Sequence, residues 1–318
     1  MKNRMHLVID FMFLYYKYKN TLNIGKLKRL SFTKPDDSHE EADITLVYYP
    51  LREIESLRKK YESEGNEVYV SVCFDSPSDR SDEDSDYKKT RKKSLCDADF
   101  DTIAVIKELL EKAGHNVYKV DGKEADDLVY TLVEDTKDQF DETIIFTTDY
   151  DLLVNVQEKV KYRKYKMGHG FETAVSVDSF AEYVRNHNMC DTLKYNGILV
   201  YKCILGDKSD NVSGVKGIGK AKFDSLVNKC IALKIIGTDT SEKAQFIWSE
   251  FRNPEKVNEL LVTMRDMSIL TESQFEQAQH SLKLVTPKYI EGLKRPDRLS
   301  TQEERSKAYS LYGMTSLI

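Results

Sequence analysis

Carboxylate side chains follow several apolar, strand-like segments of this sequence. They stand at Asp10, at Asp75, within 124–127 and within 149–151. Because ligands of open parallel α/β sheets bind beyond the carboxyl ends of the strands, we expect these acids to meet at one edge of a sheet. Carboxylates gathered in a partly buried site repel one another unless cations neutralise them or their pKa values rise. The pattern therefore predicts a metal centre with oxygen ligands, which favour Mg²⁺ or Mn²⁺ over zinc.

The most specific acidic segment is Gly122-Lys123-Glu124-Ala125-Asp126-Asp127. Its acids lie in the first turn of a predicted helix, where Glu124 and Asp127, three residues apart, share a side. Any single acid here is better explained as a helix cap or as a partner of the helix dipole. Three acids exceed what capping requires, so metal ligation is the favoured interpretation. Two divalent ions about 4 Å apart would activate water and stabilise the leaving oxygen of a phosphodiester.

A second motif is rich in glycine. The segment Gly214-Val215-Lys216-Gly217-Ile218-Gly219-Lys220 matches a helix-hairpin-helix signature. Closely spaced glycines let the backbone turn tightly and present N–H groups to a phosphate. Flanking lysines add attraction to a nucleic-acid backbone of any sequence; they are Lys216, Lys220 and Lys222. Asp207 and Asp210 precede the hairpin and either cap a local turn or complete the metal cluster.

The elements that must position these motifs alternate between strand and helix in the first half of the chain. Strands are predicted at 7–10, 68–74, 117–120 and 143–146, and helices at 50–64, 99–113 and 124–135, the first of them opened by Pro50. This alternation predicts an α/β fold with a mostly parallel central sheet and helices on both faces. From about residue 178 the pattern becomes helical. We therefore predict a catalytic domain over 1–193, a helical DNA-binding domain over 194–292 and a C-terminal tail over 293–318 that packs on the body.

Size and composition agree with a globular protein. The chain has 318 residues, of which 32% are charged and 10% aromatic, and it can bury a substantial core. Its five cysteines never form a CxxC pair, which argues against a disulfide framework or a zinc site. Asp10 interrupts the N-terminal apolar run and no later segment is long enough for a membrane span, so we predict a cytoplasmic protein without membrane contact. The net charge of −5 leaves DNA binding open, because nine acids are assigned to the metal cluster.

With these motifs in this order, the sequence resembles the flap-endonuclease/5′-3′ exonuclease family. The likeness is to the RNase H-type 5′ nucleases of bacteriophages and to the nuclease domain of bacterial DNA polymerase I. It rests on Asp10, Phe74-Asp75, Tyr87-Lys88-Lys89-Thr90-Arg91-Lys92, Glu124-Ala125-Asp126-Asp127, Thr148-Asp149-Tyr150-Asp151 and Gly206-Asp207-Lys208-Ser209-Asp210-Asn211 with its hairpin. Each motif is weak alone, but the set is highly specific. One departure is Asp10-Phe11, where many relatives have Asp-Gly.

The resemblance implies a PIN-like 5′-nuclease fold followed by a helical H3TH domain, and a site with two metal ions. The first ion would be surrounded by Asp10, Asp75, Glu124 and Asp126, with Asp127 supporting the cluster. The second ion would be served by Asp149, Asp151, Asp207 and Asp210. The catalytic residues would be Lys88, Arg91, Asp126 and Asp127, the first two in an arch over 76–98. The residues expected to contact DNA are Tyr87, Lys88, Lys89, Arg91, Lys92, Gly214, Lys216, Gly217, Ile218, Gly219, Lys220 and Lys222. Mg²⁺ is the expected cofactor, with Mn²⁺ as a substitute and K⁺ at the hairpin.

The resemblance also implies the reaction: 5′-3′ exonuclease and flap-endonuclease cutting at single-strand/duplex junctions in DNA replication or repair, including primer removal. The expected partner is DNA with a 5′ flap, a nick or an RNA primer, together with replication proteins such as a single-strand-binding protein. A monomer in the bacterial cytoplasm, of bacterial or phage origin, is expected. Two alternatives are a catalytically silent junction binder, which the nine filled acidic positions disfavour, and a PIN-type ribonuclease, which the hairpin and the basic arch disfavour.

Overall fold

Strands alternate with helices through the first half of the chain. The computed structural model describes residues 2–33, 41–89, 95–166, 168–190, 192–194, 197–237 and 243–318. Its strands are β1 (Arg4–Asp10), β2 (Ser31–Thr33), β3 (Glu41–Asp43), β4 (Glu67–Cys73), β5 (Asn116–Tyr118), β6 (Glu142–Thr147), β7 (Val160–Lys166), β8 (Gly170–Phe171), β9 (Gly206–Asp207), β10 (Val212–Ser213), β11 (Ile236–Gly237) and β12 (Phe246–Ile247).

Helices dominate the second half of the chain. They are α1 (Phe11–Asn23), α2 (Thr45–Ser63), α3 (Arg80–Glu83), α4 (Asp97–Lys112), α5 (Ala125–Thr136), α6 (Phe180–Asn186), α7 (Ile198–Leu205), α8 (Lys220–Ala232), α9 (Pro254–Asp266), α10 (Glu272–Val285) and α11 (Gln302–Ser310). Short 3₁₀ helices cover Tyr150–Asn155, Trp248–Arg252 and Thr315–Leu317. Within the described ranges, no helix has the length and apolar character needed to cross a membrane.

The central sheet has the strand order β5-β4-β1-β6-β7-β8. Neighbouring strands from β5 to β7 run parallel, and β8 pairs antiparallel with β7. Parallel neighbours require crossover connections, which α2, α4 and α5 supply between successive strands. The predicted mostly parallel sheet is therefore confirmed.

The two faces of the sheet pack into separate hydrophobic clusters. On β1, Val8 belongs to one cluster, whereas Leu7 and Ile9 belong to the other, because successive side chains of a strand point to opposite faces. Helix α5 packs on the side of Val8, and α1, α2 and α4 pack on the opposite side. The prediction of helices on both faces is thus confirmed as well.

The cluster that contains Val8 continues into the helical half of the chain. It includes Leu199 of α7, Phe223 of α8 and Leu260 of α9, with the fully buried Trp248 among them. One continuous core therefore contains residues from both sides of position 193. The division into domains at that position stays a prediction.

The last residues of the chain pack on the other face of the sheet. Tyr309 of α11 is fully buried, and its hydroxyl donates a hydrogen bond of 2.6 Å to Glu55 of α2. Leu317 is buried in the same cluster as Leu7. These contacts fasten residues 302–318 to helices α2 and α4.

Helix α2 begins at Thr45, so the prediction that Pro50 opens this helix is wrong. Pro50 lies inside the helix. The Thr45 N–H donates a 2.9 Å hydrogen bond to Asp43 Oδ1, which satisfies a backbone donor at the helix start. Burial of Leu51 and Ile54 on one face of α2 outweighs the single backbone hydrogen bond that Pro50 cannot donate.

Candidate metal centre and nucleic-acid interface

The carboxyl ends of three parallel strands bring acids to one cleft. Asp10 ends β1, Asp75 follows β4 and Asp149 follows β6, while Asp126 comes from the first turn of α5. The cleft has a volume of about 520 Å³, and its acidic lining consists of Asp10, Asp75, Glu124, Asp126 and Asp149. The structure therefore gathers five of the predicted acids in the place expected for ligands of such a sheet.

Hydrogen bonds orient these carboxylates. Thr147 Oγ1 donates to Asp10 Oδ2 at 2.7 Å. The backbone N–H of Ala125 donates to Asp75 Oδ1 at 2.8 Å, which ties the end of β4 to the start of α5. Short bonds to neighbouring elements hold the acids in position without neutralising their charge.

The gathered carboxylates repel one another. Burial, together with the neighbouring Asp75 and Asp149, raises the pKa of Asp10 to about 7. Burial and the neighbouring Asp149 and Asp10 also raise the pKa of Asp126 well above its usual range. A bound divalent cation would favour the charged form of these groups and relieve the repulsion. The donors are all carboxylate oxygens, a set that fits Mg²⁺ or Mn²⁺.

Two triads of carboxylates share one residue, Asp151. Ligand oxygens of Asp126, Asp149 and Asp151 lie within 4.8 Å of one another, and so do those of Asp151, Asp207 and Asp210. Asp207 and Asp210 come from the segment just before the glycine hairpin. The helical half thus contributes acids to the same centre as the sheet, and adjacent triads of this kind can hold two ions.

A lysine that sequence reasoning missed lies in the second triad. Lys202 of α7 is 7% exposed; its Nζ lies 2.6 Å from Asp207 Oδ2 and also contacts Asp151 Oδ1. Burial raises the pKa of Asp207, but Lys202 and Ser209 lower it to about 2. Lys202 is the single charged residue of α7, and a lone charge in an apolar helix was the signal that could have identified it.

Asp127 is bound elsewhere, although it follows Asp126 directly. Its carboxylate accepts bonds of 2.6 and 3.2 Å from the Arg80 guanidinium and one of 2.6 Å from the Lys288 N–H. Consecutive residues of a helix point about 100° apart, so the two acids meet different neighbours. The role of Asp127 as a metal ligand and catalytic residue stays a prediction: here the residue, 1% exposed, joins α5 to the start of α3 and to the segment after α10.

The described part of the arch segment lies against the acids. Lys88 Nζ contacts Glu124 Oε1 and lies 3.6 Å from Asp210 Oδ2. The Tyr87 hydroxyl is within hydrogen-bond distance of the same two residues, at 3.0 and 3.1 Å. Tyr87, predicted to contact DNA, is buried in this arrangement. Tyr87 and Lys88 therefore join the arch segment to Glu124 of the cleft and to Asp210 of the second triad.

Other basic side chains surround the cleft. Lys17 and Lys164 line it together with Lys88, and neither was singled out from the sequence. Lys89 is exposed and pairs with Asp86 at 2.8 Å. The predicted contacts at Arg91 and Lys92 lie outside the described residues.

The glycine hairpin opens to solvent before α8. Gly217 has a φ of +81°, a conformation that favours glycine, and a Cβ added to Gly217 or Gly219 would meet nothing within 4 Å. Gln277 of α10 accepts a 2.7 Å bond from the Lys216 N–H and braces the loop. Exposed lysines flank this open backbone: Lys216, Lys220 and Lys222. A phosphate can therefore approach the backbone at the start of α8.

Not every residue of the hairpin motif faces solvent. A Cβ added to Gly214 would lie 2.4 Å from the Leu205 carbonyl oxygen. Ile218 is half-buried and packs against the core cluster. Gly214 and Ile218, both predicted to contact DNA, therefore pack against the body of the protein and support the loop.

The chain is similar in sequence to known nucleases and polymerases. A sequence model of the 5′-3′ exonuclease, N-terminal resolvase-like domain, matches residues 8–184. A 5′-3′ exonuclease of Aquifex aeolicus is 28% identical over 276 residues, which cover 85% of this chain and 88% of that protein. The DNA polymerase I of Caldicellulosiruptor bescii is 30% identical over 185 residues, which cover 56% of this chain and 20% of the polymerase.

Solved structures share the fold. The T5 D15 protein co-crystallised with metal ions superimposes with a TM-score of 0.53 at 16% identity, covering 89% of this chain and all of that chain. The predicted family, α/β fold and nuclease activity are thereby confirmed. The domain match spans more than half of the chain. The chain therefore belongs to the 5′-3′ exonuclease family of nucleases.

Proposed function

We propose that this nuclease cuts DNA near single-strand/duplex junctions, both as a 5′-3′ exonuclease and as a flap endonuclease. The observation that carries the proposal is the meeting of two carboxylate triads at Asp151, beside a cleft that Lys88 lines. Acids from the sheet edge and acids from the segment before the hairpin form one centre. A duplex held at the hairpin would therefore lie next to the cutting site.

Two Mg²⁺ ions are the proposed cofactor, with Mn²⁺ as a substitute, because every donor is a carboxylate oxygen. The first ion is assigned to Asp10, Asp75, Glu124 and Asp126. The second ion is assigned to Asp149, Asp151, Asp207 and Asp210. When bound, such ions activate water and stabilise the leaving oxygen of a phosphodiester.

Basic groups of the chain complete the proposed site. Lys88 Nζ, already beside Glu124, would stabilise the negative charge that develops on the scissile phosphate. Arg91 is proposed for the same role on its position in the sequence. The exposed backbone around Gly217 and Gly219, with its lysines, would hold the duplex backbone without reading its sequence, and K⁺ is proposed as a further ion at this turn.

The proposed substrates are DNA duplexes with a 5′ flap, a nick or an RNA-primed end. Removal of primers and flaps during replication or repair is the corresponding role. A monomer in the bacterial cytoplasm that meets a single-strand-binding protein at such junctions is the proposed context.

Cutting of a labelled 5′-flap duplex, with and without Mg²⁺, tests the proposal. We expect cleavage near the junction that requires the metal, and little cleavage of single-stranded RNA of the same sequence. Asp126→Asn should lower the rate roughly 10³-fold, since it removes a ligand worth several kcal/mol in the transition state, yet keep DNA binding. The exposed Asp138 supplies the control Asp138→Asn, which should cut like the unmodified protein.

Two results would contradict the proposal in different ways. Tight binding of the flap duplex without any metal-dependent cutting would indicate a silent junction binder. Faster cutting of single-stranded RNA than of the flap duplex would indicate a PIN-type ribonuclease.

A further inference from the structure

The second carboxylate triad holds a cation that belongs to the chain itself. Lys202 Nζ lies 2.6 Å from Asp207 Oδ2 and contacts Asp151 Oδ1. Asp151 is the residue that both triads share. The ammonium therefore binds two carboxylates that the proposed function assigns to a divalent ion.

The neighbours of Lys202 explain how an apolar helix can contain a buried ammonium group. The other residues of α7 are uncharged, and most of them are buried. A buried ammonium is costly unless it is paired, and Asp151 and Asp207 supply the partners. In return, the ammonium offsets the repulsion between these two carboxylates. The arrangement balances charge within the molecule before any ion arrives.

We propose that Lys202 is the built-in counter-cation of the second metal site. Its ammonium holds Asp151 and Asp207 together in the metal-free protein and gives up their oxygens when a divalent ion binds. The inference rests on the metal centre of the proposed function. Two consequences follow: Lys202 stabilises the metal-free fold, and it weakens the second ion's binding because that ion must displace an ammonium.

Mn²⁺ binding in the absence of DNA measures the second consequence. Calorimetry and the spin-resonance signal of free Mn²⁺ would give the number and the affinities of bound ions. We expect the unmodified protein to bind two ions. In Lys202→Met, the more weakly bound ion should bind about tenfold more tightly. A tenfold change in affinity is a modest part of the interaction energy between close charges near a protein surface. Lys202→Arg, which keeps the charge, should bind that ion with unmodified affinity. Lys208→Met, at an exposed lysine next to Asp207, should leave both affinities unchanged.

Thermal unfolding separates this role from simple packing. In EDTA, Lys202→Met should unfold at a lower temperature than the unmodified protein, and in saturating Mn²⁺ the difference should shrink or vanish. A lysine with only a packing role would produce the same deficit in both solutions, which would overturn the proposal. Lys202→Gln, with a polar tip, serves the same comparison if the methionine variant does not fold.

The binding data also separate two kinds of failure. Unchanged or weaker binding of the second ion in the neutral variants would refute the role of Lys202 alone. Absence of Mn²⁺ binding by the unmodified protein would refute the metal centre itself.

Discussion

The Arg80 guanidinium joins three parts of the chain, and its replacement should destabilise the fold strongly. It donates to Asp127 at 2.6 and 3.2 Å, to Glu124 at 2.8 Å and to the Thr286 carbonyl at 2.9 Å. Arg80 itself is 3% exposed. Arg80→Met keeps most of the side chain's length but removes the charge and all four hydrogen bonds.

The expected cost follows from the charges left behind. Removing one partner of a buried ion pair costs about 3–5 kcal/mol, since the other charge stays buried. Asp127 would retain the N–H groups of Lys288 and Glu124, at 2.6 and 3.1 Å, which offsets part of that penalty. We therefore expect the free energy of unfolding to fall by about 3 kcal/mol, the lower end of the range.

Unfolding in guanidinium chloride with EDTA, followed by tryptophan fluorescence, measures this change. The chain has one tryptophan, Trp248, and it is fully buried, so its emission reports exposure of the core. The matched control is Arg29→Met. Arg29 pairs with Asp43 at 2.6 Å, but the two side chains are 74% and 48% exposed, so the loss should stay below about 1 kcal/mol.

A cost for Arg80→Met as small as that of the control would refute this reasoning. The same unfolding assay, combined with a separate measurement of Mn²⁺ binding without EDTA, tests the roles of the two adjacent acids. Asp127→Asn should lower stability and keep both Mn²⁺ ions, whereas Asp126→Asn should weaken binding of the first ion and stay folded. Loss of Mn²⁺ binding by Asp127→Asn at unchanged stability would instead support the predicted role of Asp127 as a metal ligand.

Three further perturbations test the core, the hairpin support and the DNA contact. Burial raises the pKa of Glu55, but the nearby His115 and its other partners lower it to about 2. This carboxylate therefore stabilises the fold above pH 4.5 and loses its contribution as the pH falls toward 2. In urea unfolding measured across that pH range, Glu55→Gln should lose about 3 kcal/mol less free energy of unfolding on acidification than the unmodified protein. An equal loss in both proteins would contradict the assignment. Gly206→Ala should lower the free energy of unfolding, measured by thermal unfolding, by about 2 kcal/mol or more. The reason is that Gly206 has a φ of +78° and an added Cβ would lie 2.4 Å from a backbone nitrogen. The control Gly219→Ala, with open space around the residue, should change stability by less than about 1 kcal/mol. Lys222→Ala should weaken duplex binding in fluorescence anisotropy and reduce the slope of log affinity against log salt by roughly 1, and an identical slope would exclude a phosphate contact.

The sequence by itself determined the sheet and the acids at its edge. Apolar runs that end in Asp10 and Asp75 correspond to β1 and β4, because buried parallel strands are short, apolar and followed by turns. The turn at Gly217 could also be predicted from the sequence, because a backbone with positive φ favours glycine. Such signals are local: each depends on residues that are neighbours along the chain.

Only the tertiary structure decided which charged groups share a pocket. Asp126 and Asp127 are identical and adjacent, and they have different neighbours because Arg80, distant in sequence, binds one of them. Lys202 reaches Asp151 only because α7 packs against the segment after β6. Spacing along a helix predicts which residues share a face, but the partner of that face depends on the packing of distant elements.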